Sequence, residues 1–365
     1  MDLLEASFEE SGEEQLAAVE AAVAALANDI EVPPPAELLD SLRQGGDDER
    51  SQILLVGMVA NAAHRGSAAL PELKELLDSG IDLKFPSYDG RGLGYPSLRV
   101  ALLAAAEATG DPGAAQLIAE VTRTTESPVE VVFGAHLLDR LQALDPATAQ
   151  RTLDSLGKPL PPDQQKAMGP IAGRVVPAAA ATDPVYAEQF LMAQLRMPKG
   201  TGADPRLVVP VLDGLPAERV TDVVMAGLTA ADVDDRAKRT LAARATQRSE
   251  LNVLTELRHG IEAGRLGPDV AATVARSAVA NRAYGQLERQ ARRALKAGDL
   301  PAARQLATAY YERLSETDQT LAAARSRGAK LPGDIGALKE LQRKRLDTLR
   351  AQIAREAKKQ QAPAR

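Results

Sequence analysis

The glycine-rich run Gly90-Arg91-Gly92-Leu93-Gly94 has the backbone freedom of a phosphate cradle, so it is the first place to look for chemistry. A dinucleotide fingerprint needs a preceding strand, a following helix and a further glycine at fixed spacing, and here Tyr95 and Pro96 stand where that glycine belongs. No GxxxxGK[ST] run occurs elsewhere in the chain. Nucleotide binding is therefore disfavoured. The same stretch reads better as a protein contact, because Arg and Tyr dominate interface hot spots. Phe85, Tyr88, Arg91 and Tyr95 are the anchors expected in that role.

Metal and nucleophile chemistry fare no better. His64, His136 and His259 are widely separated and none belongs to an HxxxH or HExxH pair, so zinc has no ligand set. There is no cysteine, which removes thiolate ligands, disulfides and cysteine nucleophiles together. GxSxG is missing. The acid pairs Asp47-Asp48 and Asp234-Asp235 sit near expected helix starts, where the macrodipole favours negative charge. Lys158-Pro-Leu-Pro-Pro162 has the composition of a polyproline ligand, but a turn between helices is the simpler reading. The expectation is a chain with no catalytic residues, no metal and no cofactor, and not an enzyme.

What must position these residues is helical. Asp111-Pro112, Ser127-Pro128 and Asp145-Pro146 each place a capping side chain before a proline at the first helical position. Glu130 adds the sequence of a capping box to the second. Between these starts, Leu117, Ile118 and Val121, then Gly134, Leu137, Leu138, Leu141 and Leu144, recur at the three-and-four spacing of amphipathic helices. Asp183-Pro184 continues the cadence. This helix, turn, helix unit over residues 109–146 resembles the HEAT and armadillo family of stacked helical hairpins. The resemblance implies an all-α solenoid whose concave face binds other macromolecules. Gly134 is expected to face a neighbouring helix closely.

Other helices are expected at Ser11 to Ala27, 36–44, 48–64, 68–78, 147–156, 163–180, 206–213, 217–228, 230–246, 250–263 and 268–281, with starts at Pro216, Thr229, Ser249 and Pro268. Residues 80–96 form a long loop holding three of the ten aromatics. Ala283 to Leu314 resembles a tetratricopeptide-like hairpin turning at Gly298-Asp299. A final helix follows from Asp334, with Leu338, Leu341, Leu346, Leu349 and Ile353 as its apolar stripe. The expected domains are 1–196 with HEAT-like repeats, 197–281 as a second helical lobe, and 282–365 as a basic hairpin and C-terminal helix.

Aromatics are 3% of the chain and tryptophan is absent, so the core must be aliphatic and alanine-rich, which suits helices better than sheets. The net charge of −6 conceals a gradient: residues 1–50 carry 14 acids and two bases, residues 282–365 carry 19 bases and nine acids. No uncharged apolar stretch reaches the roughly 18 to 20 residues that span a bilayer. The acidic start lacks the features of a secretion signal, and a cytoplasmic location is expected, or a periplasmic one if a signal was removed.

These features point to a non-enzymatic scaffold or adaptor that grips a protein partner on its concave face and the 80–96 loop. Two alternatives come from the charge gradient. Basic C-terminal helices could tether the chain to nucleic acid or an anionic membrane surface through Arg343, Lys344, Arg345, Arg350, Lys358 and Lys359. Head-to-tail self-association could join the acidic head of one molecule to the basic tail of another.

Overall fold

A computed structural model of the chain describes residues 48–85, 95–197, 205–247 and 251–361. Every regular element among the described residues is a helix, and extended backbone pairs once, in an antiparallel bridge between Lys84 and Ser97. The helices expected at Ser11 to Ala27 and at 36–44 lie outside the described residues. None of the described helices is long and apolar enough to cross a membrane. The chain divides into two compact units, residues 1–187 and 188–365.

In the first unit, α1 (Asp48–Arg65) leads through a 3₁₀ turn (Gly66–Ala69) into α2 (Leu70–Asp78). There follow α3 (Leu98–Ala108), α4 (Pro112–Thr124), α5 (Pro128–Arg140), α6 (Pro146–Gly157) and α7 (Pro162–Thr182). The caps act where the sequence places them: Asp111, Ser127 and Asp145 accept from the backbone N–H of Gly113, Glu130 and Thr148. The capping box at Ser127 forms only in part. Glu130 does not turn back to the Ser127 N–H, which donates to Thr125 Oγ1 at 3.1 Å instead. Its carboxylate pairs with Arg99 of α3 at 3.1 Å, because a full charge is a stronger partner than one amide.

Helices in this unit pack on their neighbours and on the next but one. α1 meets α3, α3 meets α5 and α5 meets α7, while α2 meets α4 and α4 meets α6. The shared core is aliphatic, with Leu55, Leu102, Leu103, Ile118 and Leu138 almost wholly buried. Gly134 allows the closest approach. A Cβ there would lie 2.0 Å from Thr122 Oγ1 of α4, so α5 lies against α4 only because the side chain is missing.

α8 (Pro184–Leu195) starts in the first unit and ends in the second. Asp183 accepts from the Tyr186 N–H at 3.0 Å and from Gln150 Nε2 of α6 at 2.7 Å. Those two bonds, the backbone one first, hold its carboxyl below the ordinary aspartate range.

The second unit continues with α9 (Pro205–Gly214), α10 (Ala217–Thr229), α11 (Asp235–Ala245), α12 (Leu251–Glu262) and α13 (Pro268–Val279). It closes with α14 (Ala283–Lys296), α15 (Leu300–Ser326) and α16 (Ile335–Gln361). α9, α11, α13 and α15 pack in succession, as do α10, α12 and α15. Buried residues of α10–α11 recur 33 positions on in α12–α13: Val220 with Val253, Val224 with Leu257, Gly227 with Gly260, and Leu241 with Val274. Each of those glycines admits a neighbour, since a Cβ would come within 2.7 Å of Leu241 at Gly227 and 2.8 Å of Met225 at Gly260.

Two expectations need correction here. Thr229 does not start a helix: it ends α10, its hydroxyl donating to the Met225 carbonyl, and Asp234 caps α11 by accepting from the Ala237 N–H at 2.7 Å. Ala230, extended at ψ 130°, breaks the backbone between them. Leu341 does not join the apolar stripe of α16, being 44% exposed, while Gln342 turns inward at 9%. Tyr310 sets that phase, its hydroxyl donating to Gln342 Oε1 at 2.6 Å.

α14, α15 and α16 enclose Tyr284, Tyr310, Leu314, Leu346, Leu349 and Ile353. The turn at Gly298 takes the left-handed conformation at φ 78°, and Asp299 caps α15 by accepting from the Ala302 N–H at 3.0 Å. α15 runs past the expected end of the hairpin at Leu314 to Ser326, far enough to pack on α12, α13 and α16 as well as α14.

Candidate functional site

The segments that flank residues 86–94 pair with each other and form a base. Phe85 N–H donates to the Pro96 carbonyl at 2.9 Å and Leu98 N–H to the Leu83 carbonyl at 2.8 Å, so the two strands of chain that enter and leave residues 86–94 are held side by side. Of the four aromatic and arginine anchors read from the sequence, Phe85 is in the core of the first unit at 6% exposure, and Tyr95 is half-buried against the same core. Tyr88 and Arg91 lie outside the described residues.

Beside this base lies a cavity of about 340 Å³. Its walls come from the starts of three successive helices of one layer. Ser97 begins α3, Ser127 and Val129 begin α5, and Asp163 and Gln164 begin α7. Asp82 and Lys84 complete it from the extended segment. Three helix N-termini bring partial positive charge to one place. Asp82 and Asp163 answer it with carboxylates, and Lys84 and Asp163 are exposed to incoming groups.

The hydroxyl oxygens of Ser97 and Ser127 are engaged as caps, accepting from Val100 N–H at 3.3 Å and Glu130 N–H at 3.4 Å. α7 differs, because Pro161 stands at its cap position and has no side-chain acceptor for the first N–H groups. Close by, the Arg99–Glu130 pair ties α3 to α5. Arg99 Nη1 also donates to the Leu77 carbonyl at 2.7 Å, and Glu130 is 5% exposed at its side chain. Both wall serines therefore spend a hydroxyl lone pair on the helix they start.

The basic candidates on α16 are all exposed, yet half of them already have partners. Arg343 pairs with Asp318 at 3.0 Å, Lys359 with Glu356 at 2.7 Å, and Arg350 lies 4.7 Å over the Tyr311 ring. Lys344, Arg345 and Lys358 form no ion pair among the described residues.

The histidines remain apart. His64 is exposed near the end of α1, and His259 sits 3.4 Å from Glu256 on the same helix. His136 of α5 is half-buried, and its Nδ1 has no hydrogen-bond partner. Burial, then the charges of Arg140 and Arg174, hold its pKa below the ordinary 6.5. No group of three or more His, Cys, Asp or Glu suited to a metal occurs among the described residues. Lys158 to Pro161 connects α6 to α7, Lys158 being extended and Pro161 standing at the cap, and Pro162 is already the first residue of α7.

Asp82, Lys84, Asp163 and Gln164 were not singled out from the sequence. The signal that could have found them is the set of helix starts at 97, 127 and 161, which stacking of alternate helices brings to one side. Comparisons with protein-family models, curated proteins and solved structures found no match.

Proposed function

We propose that this chain is a non-enzymatic interaction scaffold, a HEAT-like solenoid in which stacked helical hairpins display a groove for a protein partner. The observation that carries the reading is the packing of alternate helices. α1, α3, α5 and α7 form one layer, and the starts of α3, α5 and α7 build the groove beside residues 82–85. The buried positions that recur at 33 residues in α10–α13 support the same architecture, since each repeat buries its face only against the next. Fold-level analogy links such stacks to macromolecular binding and does not by itself assign an activity.

The partner segment best suited to the groove is an extended polypeptide. Exposed Lys84 and Asp163 face it with opposite charges, and the uncapped start of α7 supplies N–H donors. Full-length chain and its Asp163→Arg variant, immobilised in parallel, test this in extracts of the source organism. The expected result is a stoichiometric polypeptide retained by the first and lost by the second, with matched thermal stability. Identical retention by both proteins, or no stoichiometric polypeptide on either, overturns the reading.

A further inference from the structure

The charge gradient read from the sequence directs attention to α16, but the structure offers a cleaner basic surface on α14. Arg282, Arg289, Arg293 and Lys296 are all exposed. Their spacing of seven, four and three residues places them in one line on the helix face opposite buried Tyr284 and Ala291. At about 1.5 Å per residue the line is about 21 Å long. The neighbours on that face are Gln286 and Gln290, also exposed.

No acid shares the face. Glu288, the one acid of α14, is turned toward α16, where Arg292 holds it at 2.8 Å and reaches Gln352 at 3.0 Å. None of the four stripe residues forms an ion pair among the described residues. α16 differs, because Glu340 and Asp347 interrupt its exposed bases. The helix dipole gives Arg293 and Lys296 a reason to stand in the last turn of α14. It gives none for Arg282 at the N-cap or Arg289 in the middle of the helix.

We infer that this face of α14 binds an acidic polypeptide segment, and that the segment is the N-terminal stretch, residues 1–47, of a second copy of the chain. That stretch holds twelve acids and one base, Arg43. The first unit as a whole carries a net −16 and the second +10, so two copies attract when the acidic end of one meets the basic end of the other and repel when like ends meet. A heterologous contact of this kind propagates to rings or filaments. Single-stranded nucleic acid is a poorer occupant, since no aromatic stands on the stripe to stack a base. A membrane surface is poorer too, because the face has no apolar residue to insert. The inference concerns α14 alone and is independent of the groove in the first unit.

The test uses the full-length chain, Arg289→Glu/Arg293→Glu on α14, and Lys344→Glu/Lys358→Glu on α16 as a control of equal charge change. Circular dichroism and thermal melts first establish that all three fold alike. Sedimentation velocity at low salt is expected to show concentration-dependent self-association of the wild type and the α16 variant. The α14 variant is expected to remain monomeric, and all three to be monomers at high salt, where screening acts within a few ångströms. Zero-length carbodiimide cross-linking of mixed isotope-labelled and unlabelled chains should join Lys296 of one isotopologue to an acid within residues 1–47 of the other.

A monomer at every salt concentration overturns the inference, and so does association that survives in the α14 variant. Cross-links confined to single isotopologues would assign the contact to the same chain instead. Retention of duplex DNA or of phosphatidylserine vesicles by the wild type but not by the α14 variant, without self-association, would make the stripe a polyanion surface and likewise overturn it.

Discussion

In the first unit, α3, α4 and α5 meet over Leu102, Ile118 and Leu138. In the C-terminal bundle, α14, α15 and α16 meet over Tyr284 and Tyr310, whose ring centroids are 5.0 Å apart. The aliphatic seam is non-directional: it asks for volume and close approach, and Gly134 supplies the approach. The tyrosine centre is directional. Tyr284 Oη lies 2.7 Å from Thr317 Oγ1, and the Tyr310 hydroxyl donates to Gln342. Burial pushes the Tyr284 phenol up to about 12 and raises that of Tyr310 further, so both stay neutral donors over any ordinary pH. Hydrophobic burial holds the first region, and the second adds bonds that select a single phase for α16.

That contrast can be broken or sharpened by substitution. The largest effect is expected at Gly134. Gly134→Leu should cost about 3 kcal/mol in urea unfolding, since even a Cβ meets Thr122 and the core has no slack to take a larger side chain. Gly173→Ala in exposed space on α7 should instead stabilise by roughly 0.5–1 kcal/mol through helix propensity alone. Equal effects at the two glycines would mean that the α4–α5 crossing is not tight.

A smaller loss, about 1 kcal/mol, is expected for Tyr310→Phe, which keeps the ring and leaves Gln342 Oε1 without its donor. If Tyr310→Phe melts with the wild type, the bundle is held by area as the first unit is, and the distinction fails.

The smallest effect is a dependence on pH at His136. Its folded pKa lies below 6.5, so the folded state resists protonation. Stability is full above about pH 6.5 and is lost as pH falls from there toward the folded value, because the unfolded chain binds the proton first. Urea midpoints at pH 7.5 and 5.5 should therefore fall more for the wild type than for His136→Gln. The opposite order would mean that Asp139, and not Arg140 and Arg174, dominates the field at that ring.

Much of the fold was legible because local chemistry specifies it. Asp111, Ser127 and Asp145 announce helices that begin where they cap, and Gly134 marks a crossing whatever the wider arrangement. Legibility failed where two local readings competed. Thr229 and Asp234 are both acceptable caps, and only the extended backbone at Ala230 decides between them. Leu341 and Gln342 are adjacent, so a helix rotated by one residue exchanges them. The leucine spacing alone does not prefer either, whereas the Tyr310 hydroxyl does. The groove was invisible for a different reason. Asp82, Ser127 and Asp163 are distant in the chain and carry no shared motif.

From its sequence alone the chain was committed to helices, to an aliphatic alanine-rich interior and to opposite charge at its two ends, because propensity, capping and composition act over a few residues at a time. Which helix starts would gather around one cavity, which bases would be neutralised on α16 and which would stand in an uninterrupted line on α14 were decided only in three dimensions. Those outcomes depend on the rotation of each helix against its neighbours, and that rotation is settled by packing between residues far apart in the chain.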